Sequence, residues 1–240
     1  MHPRLRRILG PLILLCTAFC GHDEADREYL TALRGEEEDM TREEQIAHID
    51  RAIEISSTRA RYWEARAIYR IDLHQFDAAL ADLDRAVKLA ESPYIRFLRG
   101  LALCQSGRHA ESLADFDAAI AGQPENAQFY RGRALARVEV GMAADALADA
   151  DHLVALAPQQ AASHYARGRS LAALGRDREA LAQYDEAIRQ RPELVYPLRA
   201  RADSLERLGE TTRAAADRSA AESSAGEREA CAVCLDPFRY

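Results

Sequence analysis

The chain has 240 residues, 48% hydrophobic and 30% charged, with a formal charge of −7. That acidic balance argues against general nucleic-acid binding, which needs a basic footprint. Lys88 is the only lysine. Arginine makes forked, planar contacts with carboxylates that lysine cannot copy, although a biased genome composition produces the same usage.

Residues 1–20 read as a secretory leader. Arg4, Arg6 and Arg7 precede an apolar run from Ile8 to Cys20, interrupted by Pro11. The run is short for a bilayer span and suits the core of a signal peptide. Ala18 and Cys20 place small residues where a signal peptidase reads, so cleavage before Gly21 and an exported (periplasmic or secreted) protein are expected. An uncut anchor and lipid attachment at Cys20 are the alternatives; Phe19 departs from the lipoprotein pattern. The leader carries three arginines and no acid, so its removal leaves −10.

Residues 21–59 hold an acidic stretch, Glu36-Glu37-Glu38-Asp39, and a degenerate unit. Its segment Glu44–Thr58 matches Ala78–Ser92 at an offset of 34, and Thr41 with Glu44 predicts a capping box.

From residue 60 the chain repeats. Gly107, Gly141, Gly175 and Gly209 stand 34 residues apart, as do Arg99, Arg133, Arg167 and Arg201, and as do Pro124, Pro158 and Pro192. Each of five units, spanning 60–226, holds two apolar stretches of helical period around a polar turn, which carries Gly in four of the five. The Gly ends the first helix, and the Pro lies beyond the second, which it cannot continue. Small residues recur on the second helix at Ala79, Ser112, Ala146, Ala180 and Ala214, and again at Ala86, Ala119, Ala187 and Ala221.

These units resemble the tetratricopeptide repeat. Trp63, Ala79, Leu83 and Ala86 fit its pattern in the first unit. Gly100, Phe116, Ala119 and Pro124 fit it in the second, and Gly168, Ala180, Tyr184, Ala187 and Pro192 in the fourth. The third departs, with Ala150 where an aromatic is usual and Leu153 where Ala is usual. The resemblance implies an all-α, right-handed α-α superhelix of five to six helix-turn-helix repeats, running as one array of eleven or twelve helices from about residue 25 to 226.

Arg66, Arg99, Arg133 and Arg201 are each followed sixteen residues later by an acid: Asp82, Asp115, Asp149 and Asp217. That constant offset predicts an ion pair inside each unit. Arg167 faces Gln183 instead, which leaves it to borrow an acid from a neighbouring unit or to meet a ligand. Acids two residues apart, such as Asp82/Asp84 and Asp149/Asp151, repeat with the period and read as solvated or ion-paired positions.

In the resembled family the first helix of each pair lines the concave face. The resemblance therefore implies a partner-binding groove of Tyr94, Phe97 and Leu101, then Arg131 and Leu135, Tyr165 and Arg169, and Tyr196, Arg199 and Asp203. Such a surface suits a protein or peptide partner. Packing against the preceding unit is the competing placement for the aromatics.

Motifs for phosphate-binding loops, zinc proteases and serine hydrolases are missing, and no enzyme activity, cofactor or metal is expected. Cys104 falls in an apolar helical stretch and reads as core. A flexible tail, 227–240, carries Cys231 and Cys234, for which a local disulfide is expected after export. A lone CxxC lacks the further ligands of a four-coordinate zinc site; a thiol-redox or metal-linked role is the alternative. The reading is of an exported scaffold holding a peptide segment of a partner, or of a membrane-anchored envelope assembly factor. Contact with a membrane is expected only through the leader.

Overall fold

The computed structural model describes residues 23–35 and 39–224; the expected leader and the Cys231/Cys234 pair lie outside them. The described residues form twelve helices and no strand: α1 Glu24–Arg34, α2 Arg42–Ile55, α3 Ala60–Asp72, α4 Phe76–Leu89, α5 Pro93–Gln105, α6 His109–Gly122, α7 Ala127–Glu139, α8 Ala143–Leu156, α9 Ala161–Ala173, α10 Asp177–Gln190, α11 Val195–Arg207 and α12 Thr211–Ser224. They pack in consecutive pairs, α1 with α2 through α11 with α12. Hence α1–α2 is a leading hairpin, and α3–α4 to α11–α12 are repeats one to five.

In every repeat the first helix has thirteen residues and the second fourteen. With a three-residue turn and a four-residue link these lengths generate the interval of 34. One link is shorter. Between α4 and α5 only 90–92 intervene, so Arg66 and Arg99 stand 33 apart rather than 34. The chain divides at this point into two compact units, the first ending at Glu91 and the second beginning at Ser92. Unit one contains α1–α4 and unit two α5–α12.

Helix ends follow from local chemistry. The Thr41 hydroxyl accepts from the Glu44 amide at 3.2 Å, while the Glu44 carboxylate accepts from the Thr41 amide at 2.8 Å, closing the capping box of α2. Pro93 opens α5, where its missing N–H is no loss. Each first helix of repeats two to five ends in a left-handed glycine, from Gly175 at φ +73° to Gly107 and Gly209 at φ +80°. In repeat one His74 takes this conformation at φ +58°, its ring set edge-on to Phe76 at 5.7 Å.

The small residues are where helices come closest. A methyl group at Gly100 of α5 or Gly132 of α7 would stand within 2.8 or 2.7 Å of the Phe116 ring, and one at Gly168 within 2.4 Å of Tyr184. Phe116 and Tyr184 are buried, each filling the space its glycine leaves. Where the third repeat carries Ala150 instead of an aromatic, Ala134 stands 34 residues after Gly100 and both alanines are fully buried. The departure from the family pattern is thus an exchange of volume across one helix pair. Cys104 is buried, its thiol 3.2 Å from the Ser112 hydroxyl oxygen.

Candidate interaction surface

Two sets of side chains recur along the hairpins: a row of arginines and aspartates, and the face formed by the first helices of unit two.

In the row, Arg66, Arg99, Arg133 and Arg201 each grip the aspartate sixteen residues on with a forked pair of hydrogen bonds. Nε and Nη2 of Arg133 donate to Asp149 at 2.9 and 2.7 Å; those of Arg99 reach Asp115 at 2.8 and 2.7 Å. Arg66 holds Asp82 at 2.9 and 2.6 Å, and Arg201 holds Asp217 with both bonds at 2.7 Å. The four aspartates are buried. Arg70 and Arg137 add further donors, each 2.7 Å from Asp82 and Asp149 respectively. Burial works against the charge on Arg133, but the hydrogen bonds to Asp149 and Asp117 outweigh it and raise its pKa above the usual arginine value.

Arg66, Arg133 and Arg201 also reach backwards. Nη1 of Arg66 meets Asp50 at 2.5 Å, that of Arg133 meets Asp117 at 2.6 Å, and that of Arg201 meets Asp185 at 2.6 Å. In each case the acceptor lies sixteen residues before the arginine, on the second helix of the preceding hairpin. One guanidinium therefore fastens its own hairpin with one edge and the preceding hairpin with its remaining nitrogen. This accounts for the acids spaced by two: in Asp115/Asp117 and Asp149/Asp151 the first answers its own repeat and the second the next. Arg167 Nε stands 2.7 Å from Asp151, so it borrows from the preceding repeat, while Gln183 is turned to His164, its Oε1 lying 3.0 Å from Nδ1.

On the first helices, the expected groove residues separate into two groups. Phe97, Arg131 and Tyr165 are 0%, 4% and 1% exposed, which corrects their assignment as open contact residues. Helix-to-helix packing is the reason. The Phe97 ring lies 4.9 Å from Phe129 of α7 and 6.0 Å from Phe116. That of Tyr165 lies 4.5 Å from Tyr196 of α11, and Arg131 sits on α7 between its neighbours α5 and α9. Leu101 and Leu135 are buried likewise.

Tyr94, Arg169 and Tyr196 remain half-buried, and Arg199 and Asp203 are exposed. Arg169 spans two repeats, donating to the Tyr165 hydroxyl at 3.0 Å and to Glu139 of α7 at 2.6 Å. Burial opposes its charge, but the Tyr165 hydroxyl and the Glu139 carboxylate more than compensate and raise its pKa. The accessible part of this face is therefore concentrated on α9 and α11, as a half-buried tyrosine beside arginines and an acid.

Sequence reading missed Glu64 as a distinctive group. It stands on α3 of unit one, and burial without a compensating cation raises its pKa to about 7. Among the described residues no cluster of His, Cys, Asp and Glu could hold a metal ion, and no helix is long and apolar enough to cross a membrane.

The tetratricopeptide-repeat model matches four overlapping stretches, residues 64–127, 97–161, 131–195 and 165–227. Two-helix hairpins repeating at 34 residues, together with this match over most of the chain, make the protein a member of the tetratricopeptide-repeat family. A search of curated protein sequences returns no match. Among solved structures, the chain is similar to PilW, titled a widely conserved type IV pilus biogenesis factor, at TM-score 0.74 and 19% identity, covering 87% of this chain and 97% of that one. It is also similar to a tetratricopeptide repeat protein from Parabacteroides merdae (TM-score 0.68, 17% identity, 85% and 78% covered). A third is YrrB, titled a TPR protein with an unusual peptide-binding site (TM-score 0.54, 19% identity, 75% and 93% covered). At these identities the likeness is one of fold.

Proposed function

We propose that this protein is a non-enzymatic scaffold in an extracytoplasmic compartment that holds a peptide segment of a partner protein against the first helices of repeats four and five. The observation that carries the reading is the composition of the accessible face there. Tyr196 offers aromatic area edge-on to Tyr165, Arg199 is an exposed guanidinium, and Arg169 is held between Tyr165 and Glu139. Aromatic and arginine side chains on a rigid framework are the residues that dominate peptide recognition. Tetratricopeptide repeats generally serve as interaction scaffolds, and YrrB bears a peptide-binding site by its title. Export rests on the Arg-rich apolar leader of the sequence.

Crosslinking and pull-down from the native compartment tests this, comparing wild type with a Tyr196→Ala/Arg199→Ala double variant. Loss of one specific partner, with the helical fold retained by circular dichroism, is the expected outcome. Full retention of every partner would move binding away from this face. A tagged protein that stays in the cytosol at full precursor mass would overturn the export component.

A further inference from the structure

The row of arginines has one incomplete member. Own-repeat acids Asp82, Asp115, Asp149 and Asp217 occupy the fork of four arginines; at the equivalent place in repeat four stands Gln183, its amide turned to His164. The contact between Arg167 and Asp151 does not add an acid to the repeat, because Arg66, Arg133 and Arg201 reach the equivalent preceding acid through Nη1 in addition to their forks, whereas Arg167 meets Asp151 with Nε alone. Among the described residues Arg167 has this one ion pair and no hydrogen bond. Its side chain is 37% exposed, against 13–23% for the other four. Nε lies 2.7 Å from Asp151 without a hydrogen bond. The Glu179 carboxylate, which feels the charge of Arg167, is already held in a fork by Arg176 at 2.7 and 2.6 Å. The edge formed by the two terminal nitrogens of Arg167 makes no hydrogen bond among the described residues.

We propose that Arg167 is a receptor for a carboxylate, the Asp or Glu side chain of a bound partner protein, which meets its terminal nitrogens and supplies the second carboxylate that an internal aspartate supplies in the other repeats. The chemistry of the ligand follows from the row itself: four copies of the same guanidinium, on the same helix position, each hold a carboxylate through two parallel hydrogen bonds. A planar fork matches a carboxylate in two contacts and a neutral amide in only one. The inference rests on the scaffold reading, since it needs a partner. It concerns a different side chain from Tyr196 and Arg199.

Arginine side-chain NMR tests it, following the Nε–Hε signal of Arg167, identified by its loss in Arg167→Met. The probes are acetyl-Ala-Glu-Ala-amide, its Gln counterpart and inorganic phosphate. A saturable shift with the Glu peptide alone is expected. In Gln183→Asp the internal carboxylate should abolish that response and raise the melting temperature. The proposal is overturned if the Glu peptide leaves the signal in place, if phosphate shifts it as strongly, or if Gln183→Asp responds like wild type. None of these outcomes depends on the pull-down result for Tyr196 and Arg199, so either reading can fail alone.

Discussion

Arg133 clasps Asp149 through two parallel hydrogen bonds across its own hairpin. Its third nitrogen holds Asp117 on the hairpin before. An array whose hairpins touch only neighbours depends on such links for cooperativity. Replacing Arg133 by Met would leave Asp149 buried with only the Arg137 contact at 2.7 Å. Breaking one side of a buried pair costs about 3–5 kcal/mol; with Arg137 still in place the lower end, about 3 kcal/mol, is expected in urea-induced unfolding. Double replacement with Asp149→Leu should recover part of the loss, because it removes the stranded charge.

Volume exchange at the glycines gives a second expectation. Gly168→Ala would place a methyl 2.4 Å from a Tyr184 ring carbon, an overlap that the buried ring cannot relieve by moving into solvent. Overpacking of this kind costs about 1–3 kcal/mol. Combining it with Tyr184→Ala would copy the Ala134/Ala150 pair of the third repeat. In that background the added methyl should lose its penalty, which a double-mutant cycle on thermal melts would read out.

The left-handed turns can be probed from both directions. Gly175 at φ +73° has open space where a side chain would go, so Gly175→Ala is disfavoured by backbone conformation alone, by about 1–2 kcal/mol. In repeat one His74 already bears this strain at φ +58°. His74→Gly should therefore raise the melting temperature, by less than Gly175→Ala lowers it, because the edge contact with Phe76 is lost.

The first arm of the arginine row was legible because both partners lie in one hairpin of constant length, so a fixed offset of sixteen residues marks them. The backward arm left an equally regular trace, an acid sixteen residues before Arg66, Arg133, Arg167 and Arg201. It stayed hidden because a contact between hairpins requires knowing how successive repeats stack. The inner face was legible only as a periodicity. Spacing of three and four puts Phe97 and Leu101 on one side of α5, but it does not tell a groove from the seam with α7, and burial placed both in the seam. Glu64 had no signature at all: its displaced pKa arises from burial, a property of packing rather than of spacing.

Glu64 makes the stability of the protein depend on pH in the neutral range. Burial raises its pKa from 4.5 to about 7 in the folded state, so between those values the folded chain binds more protons than the unfolded chain. The linkage slope is then negative. The penalty for holding this carboxyl is absent below pH 4.5, develops as pH rises through that interval, and is full above about 7. Carboxylates lowered by partners act in the opposite sense. For Asp177, hydrogen-bonded first by Arg207, the contribution is present above the unfolded carboxylate pKa of 3.8 and is lost as pH falls through its lower folded value. The two windows do not overlap, and because histidines also titrate between pH 5 and 8, Glu64 is isolated there by the difference between wild type and a Glu64→Gln variant. Glu64→Gln keeps the shape and removes the titration. It should melt higher than wild type at pH 8, with the difference shrinking toward pH 5. Parallel melting curves across that range would show that Glu64 titrates as an ordinary exposed glutamate.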